Sequence, residues 1–191
     1  VMDGIVFQGL WLEAILIGTL ILLNGFFAGA EVALISARRS RIQQLAAGGD
    51  GRAQRVAALQ EDPDRFLATV QIGVTFLGTL ASAVGGAAAV RALSPVIREI
   101  PIPWLRGAAE PVALAAMVVV ITYVMLILGE LAPKSLALRH AVALALWVAG
   151  PIDRLARSTS PVVRFLTASN RFVLRLLGQK GAAERAFVSE E

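Results

Sequence analysis

Three runs almost free of charge constrain this chain more than anything else in it. Residues 10–35 carry two acids, Glu13 and Glu31, and no base, whereas residues 66–90 and 111–128 carry no charge at all. About 20 apolar residues in a helix cover a hydrocarbon core about 30 Å thick. Only 17% of the chain is charged, where a soluble domain carries about a quarter. The expectation is an all-α membrane protein with spans over about residues 7–35, 66–90 and 111–138. The first run does not read as a cleaved leader, because it lacks a basic start and is too long.

The bases then orient the spans. Residues 36–65 hold six arginines, residues 134–191 hold nine Lys or Arg, the outer loop 91–110 holds three, and the N-terminus none. Basic residues flanking spans stay cytoplasmic, so the N-terminus is expected outside and the C-terminus inside. Trp11 and Trp104 then mark the outer interface and Trp147 the inner one. That account of the net charge of +4 leaves no reason to invoke nucleic acid. Without cysteine there is no disulfide, thiolate metal site or thiol nucleophile. No base–nucleophile pair or cofactor motif appears either, so an enzyme is not expected.

Between the spans, residues 36–60 read as a short basic hairpin broken at Gly48, Gly49, Asp50 and Gly51. Asp62 with Pro63 behind it starts the second span. Pro95, Pro101 and Pro103 are expected to forbid a regular helix across the outer loop. The apolar stretch 141–149 is too short to span and is expected to end at Gly150-Pro151. Arginines mixed with apolar residues beyond Pro161 suit a helix in the inner interface, giving interfacial or belt helices over about residues 141–178. Residues 1–180 thus form one membrane domain, and the polar residues 181–191 read as a linker.

Polar groups inside a bilayer are expensive and therefore informative. Asn24, Ala28 and Glu31 share one face of the first span, and Gln71, Thr75, Gly78, Thr79 and Ser82 form a stripe along the second. On the third, Pro133 lacks an amide hydrogen and so frees the Gly129 carbonyl, beside the Glu130 carboxylate. A hard cation wants that mixture of charged and neutral oxygens, and transporters build ion sites at such helix breaks. Bland readings stand beside these. Glu31 can pair with Arg38 or Arg39, the second-span stripe can be interhelical hydrogen bonds, and Pro133 can be an ordinary helix end. His140 reads as interfacial and Glu13 as solvated. Gly78, Ser82 and Gly86 form small-xxx-small steps that suit helix packing, either within one chain or between two.

These residues resemble a known family. Leu23-Asn24-Gly25-Phe26-Phe27-Ala28-Gly29-Ala30-Glu31 with Arg38 and Arg39, Asp62-Pro63 through Gln71-Ile72-Gly73, and Gly129-Glu130-Leu131-Ala132-Pro133-Lys134 are similar to signatures of the CorC / cyclin-M (CNNM) family. The resemblance implies a dimeric three-span domain with a belt of juxtamembrane helices in the plasma or inner membrane. It also implies Mg2+ export coupled to Na+ entry, and nucleotide-binding CBS modules beyond the linker. The expected Mg2+ shell draws on Glu130, Gly129, Gln71, Thr75, Asn24 and the Ala28 carbonyl, with Glu31 and Pro133 serving a coupling Na+ or the structure. Many relatives place serines where this chain has Ala28 and Ala30, which shifts the shell toward carbonyls. The alternative is a non-transporting anchor that senses Mg2+ for cytosolic modules. A channel fits less well, because no uniformly polar face runs along all three spans.

Overall fold

A computed structural model describes residues 2–176, all of whose regular elements are helical. The chain forms α1 (Met2–Ser36), α2 (Arg39–Ala47), α3 (Gly51–Glu61), α4 (Pro63–Glu99) and α5 (Pro103–Gly107). There follow α6 (Ala109–Leu126), a π-helical turn (Ile127–Leu131), α7 (Ala132–Arg139), α8 (Ala141–Ser158) and α9 (Ser160–Leu176). The expected linker lies outside the described residues.

Three helical stretches are long and apolar enough to cross a membrane: Trp11–Ser36, Arg65–Glu99 and Ala109–Arg139. Their outward faces carry large apolar side chains, such as Leu22, Val119 and Tyr123, each about two-thirds exposed or more. Lipid is the solvent that such a face requires. The chain is a multi-pass membrane protein.

The basic segment between the first two spans folds back as the hairpin α2–α3. Gly49 turns it with φ +91°, a conformation glycine adopts without strain. Asp50 then caps α3 by accepting from the Arg52 amide at 2.8 Å, and that amide, with the Arg52 side chain, holds its carboxyl below the usual range. Gln60 clamps the hairpin to α1. Its side-chain amide donates to the Leu34 and Ala37 carbonyls, both at 2.9 Å, while Arg39 donates to its own carbonyl at 2.9 Å. Two of the acceptors that a helix end leaves open are thereby satisfied.

Asp62 starts α4 as expected, accepting from the Arg65 amide at 3.3 Å with Pro63 in the first turn. The expected end near residue 90 is wrong: α4 runs on to Glu99 with Pro95 inside it. Pro95 lies near the end of the helix, so it removes one donor, that of the Arg91 carbonyl, without disturbing the turns below. Beside it Ser94 donates its hydroxyl to the Val90 carbonyl at 2.6 Å. The regular helix is interrupted later, before α5 begins at Pro103.

The expected stop at Gly150-Pro151 is also wrong, because α8 passes through Pro151 and ends at Ser158. Burial explains why it persists. Ala145, Val148, Ala149, Ile152 and Ala156 recur at helical spacing and all are buried. The first four join Ala33 and Leu34 of α1, Val56 of α3 and Phe66 of α4 in one core at the basic end of the bundle. A smaller cluster of Leu20, Ile21, Leu77, Ala81 and Met125 holds the middle of the spans together.

Candidate ion site at the break of the third span

Pro133 cannot supply a backbone donor to Gly129, and the helix answers with a π turn rather than an end. The Ala132 amide reaches back to the Ile127 carbonyl, five residues earlier. Such single π turns recur at functional sites. Elements α1, α6 and α7 pack against this turn.

Glycines on α1 let the break approach closely. A Cβ at Gly25 would sit 2.9 Å from both the Leu128 carbonyl oxygen and Pro133 Cγ, and one at Gly29 would meet Pro133 at 3.5 Å. Gly129 is as tightly enclosed, since a Cβ there would meet Met125 Sδ at 2.8 Å and Asn24 Nδ2 at 3.2 Å. A crevice of about 150 Å3 remains beside this contact, walled by Phe26, Leu136 and Trp147.

The freed Gly129 carbonyl is not left empty. Asn24, 1% exposed, donates its side-chain amide to it at 2.9 Å. The other half of that side chain, Oδ1, is buried without a partner. The pair thus places an orphaned acceptor on Asn24 beside the Gly129 carbonyl. Glu130 is half-buried, and its carboxylate has no hydrogen bond or ion pair among the described residues. A bare carboxylate with neutral oxygens close by attracts a cation.

Glu31 pairs with neither Arg38 nor Arg39 among the described residues. Lys134 of α7 takes it instead, at 3.9 Å, which ties α1 to the segment just past the break. Ala28 is buried inside the unbroken α1, where its carbonyl belongs to the helical ladder.

Gln71 and Thr75 sit elsewhere. Gln71 donates to Thr75 at 3.4 Å and Thr79 donates to the Thr75 carbonyl at 2.8 Å. All three are exposed and line an open groove of about 600 Å3 under Leu166 of α9, in which neither Asn24 nor Glu130 takes part. The structure therefore brings Asn24, Gly129 and Pro133 together, with Glu130 following Gly129 in the chain, and leaves the α4 stripe apart.

The small-residue stripe divides too. Gly86 is buried, and a Cβ there would meet Leu114 of α6 at 2.9 Å, so it packs within the chain. Gly78 has open space in front of it and Ser82 is exposed. At the far end of the spans, Glu13 is not simply solvated. Arg91 of α4 pairs with one of its oxygens while the other is buried without a partner.

Sequence reasoning missed the Gln60 clamp and the closeness of α1 to Pro133. The second had a signal: Gly25 and Gly29 are four apart on a helix that needs neither for a turn. Nothing in the local sequence marks Gln60, whose acceptors lie 23 and 26 positions away.

Comparison with known proteins gives the family. Residues 15–191 match the family described as the cyclin M transmembrane N-terminal domain. The chain is 39% identical over 180 residues to UPF0053 protein sll0260 of Synechocystis, covering 94% of this chain and 40% of that protein. It is 34% identical to UPF0053 protein YhdT of Bacillus subtilis, over 89% of this chain and 36% of the relative. It is 30% identical to the polyamine export protein of Haemophilus influenzae, over 90% and 39%. The chain spans about two-fifths of the length of these relatives. The chain belongs to the cyclin M family, whose transmembrane N-terminal domain it carries.

Proposed function

We propose that this domain is the membrane half of a secondary transporter for Mg2+, exporting it at the expense of Na+ entry. In this reading it works as a homodimer with its N-terminus outside and its basic face in the cytoplasm, under the control of further modules. The observation that carries the reading is the half-satisfied Asn24–Gly129 pair, followed in the chain by Glu130 with its unpaired carboxylate. Mg2+ takes oxygen ligands in near-octahedral geometry at about 2.0–2.1 Å and keeps several waters. Glu130 would supply the charge, Asn24 Oδ1 and the Gly129 carbonyl two neutral ligands, and water the rest. Gln71 and Thr75 fall outside this shell. Lys134, held by Glu31, sets a fixed positive charge nearby, so cation release and the Glu31–Lys134 contact are coupled through α7.

The test is calorimetry on the purified protein together with a proteoliposome flux assay using a Mg2+ dye. Glu130→Gln is expected to weaken Mg2+ binding by at least about tenfold, because it removes the one free charge at the break. Unchanged affinity overturns the site. Binding without flux makes the domain a Mg2+ sensor instead.

A second reading has its own support. One relative is named a polyamine export protein, and no group of three or more His, Asp or Glu gathers among the described residues. A single carboxylate flanked by neutral oxygens also suits the N–H donors of an organic ammonium. Inhibition of dye-reported flux by spermidine and not by Na+ would select this cargo.

A further inference from the structure

A cavity of about 440 Å3 opens where two spans run out. Ser36 and Arg38 enter it from the end of α1, Leu138 and Arg139 from the end of α7, and His140 from the corner into α8. The membrane-length apolar stretches themselves finish at Ser36 and at Arg139. The cavity therefore lies at the level where hydrocarbon gives way to headgroups.

Its chemistry is one-sided. No carboxylate lines it. Neither Arg38 nor Arg139 has a side-chain partner among the described residues. Several other arginines are provided for: Arg52, Arg91, Arg98 and Arg157 pair with carboxylates, and Arg39 and Arg65 donate to carbonyls. Two guanidiniums left facing one cavity repel each other until an anion lies between them. Their planar forks suit phosphate oxygens, and the Ser36 hydroxyl and the His140 ring add further hydrogen-bonding groups.

The rest of the wall is apolar. Leu138, 64% exposed, lines the cavity with Ala141, Val142 and Ala143, and Ile35, 59% exposed, precedes Ser36 in the chain. A soluble phosphate would use only the polar half of this surface. A ligand with a phosphate head and hydrocarbon tails uses both, in the way that basic pockets between spans hold anionic headgroups. We propose that the cavity binds an anionic phospholipid, with its phosphate between Arg38 and Arg139 and an acyl chain along Ile35 and Leu138. Such a lipid joins the end of α1 to the α7–α8 corner. The site is separate from the candidate cation site at the break of the third span, and neither assignment depends on the other.

Native mass spectrometry of the full chain released from mixed phosphatidylcholine and phosphatidylglycerol vesicles tests this directly. The wild type is expected to retain phosphatidylglycerol preferentially, and R38Q/R139Q to lose that preference by roughly tenfold or more, given the attraction of each basic residue for an anionic surface. R41Q/R154Q removes the same charge away from the cavity and is expected to keep the preference. Equal losses in the two double variants, or no preference in the wild type, overturn the site. Should R38Q/R139Q fail to fold, judged by size exclusion in detergent, the milder R139Q decides: reduced retention supports the site and unchanged retention overturns it. Calorimetry with inorganic phosphate, on protein in phosphatidylcholine nanodiscs, separates the two sources of the anion. Phosphate binding that R38Q/R139Q or R139Q abolishes, without lipid preference in the spectra, makes this a soluble-phosphate site and overturns the lipid assignment.

Discussion

Pro133 and Pro151 both lie within helical stretches, yet only one of them alters the backbone. Around Pro151, α8 continues undisturbed, and a Cβ on the neighbouring Gly150 would meet only Arg55 Nη1 at 3.5 Å and Arg154 Nη2 at 3.9 Å. Around Pro133 the helix widens into a π turn, two α1 glycines press against the ring, and a side-chain amide takes the orphaned carbonyl. A proline removes the same donor in both places. What makes one of them a candidate site is the partner helix, which supplies a hydrogen bond and glycines that allow close approach.

Substitutions can break this contrast, and thermal unfolding in detergent measures them. The largest effect is expected at the glycines. Gly25→Ala forces a methyl against a backbone carbonyl and a proline ring, a loss of about 1–3 kcal/mol from overpacking. Gly150→Ala meets only ordinary contacts and is expected to gain up to about 1 kcal/mol from helix propensity. Equal responses would abolish the distinction between the two regions.

Next comes the amide. Asn24→Ala leaves the Gly129 carbonyl without its donor, a loss of about 1–2 kcal/mol for an interhelical hydrogen bond in a membrane protein. Any Mg2+ flux should fall with it, whereas loss of stability alone would make Asn24 purely structural.

The prolines themselves follow. Pro151→Ala restores a donor to the Trp147 carbonyl and is expected to add about 1 kcal/mol, the net worth of one backbone hydrogen bond. Pro133→Ala offers a donor to a carbonyl that Asn24 already occupies, so little gain is expected. A gain at Pro133 as large as at Pro151 would show that the Asn24 bond is weak.

The smallest effect belongs to Glu31 and Lys134, which are 3.9 Å apart and partly exposed. A double-mutant cycle with Glu31→Gln and Lys134→Gln is expected to give a coupling below about 1 kcal/mol that shrinks in high salt. A larger, salt-insensitive coupling would mean that the pair is more strongly desolvated than its exposure implies.

The spans were legible because crossing a bilayer imposes a length and a lack of charge that composition alone reveals. The start of α4 at Asp62-Pro63 was legible because a cap is local. The ends that proline was expected to impose near residue 90 and at Pro151 were not, because the persistence of a helix past a proline depends on distant packing. Ile152 and Ala156 hold α8 together, and no window around Gly150 reveals what they touch. Within the site, the pairing of Gly129 with Pro133 followed from backbone chemistry. That Asn24, 105 positions away, would close on it did not. The separation of Gln71 and Thr75 from that pair was equally invisible, since matching depth along two helices says nothing about which way each is turned.

The Gln60 clamp carries a mechanical consequence. One hydrogen bond from Gln60 reaches the last turn of α1, a second reaches Ala37 just past it, and Arg39 of α2 closes on the Gln60 carbonyl, so hairpin and helix end behave as a single lever with its short arm on the basic face. A torque applied to the hairpin by any neighbour would pass to the end of α1 at Leu34 and Ala37. Among the described residues, the ion pair between α7 and that lever is Glu31–Lys134. Pro133 of α7, packed against Gly25 and Gly29, is therefore carried with that lever, and a turn of α1 loads the break of the third span.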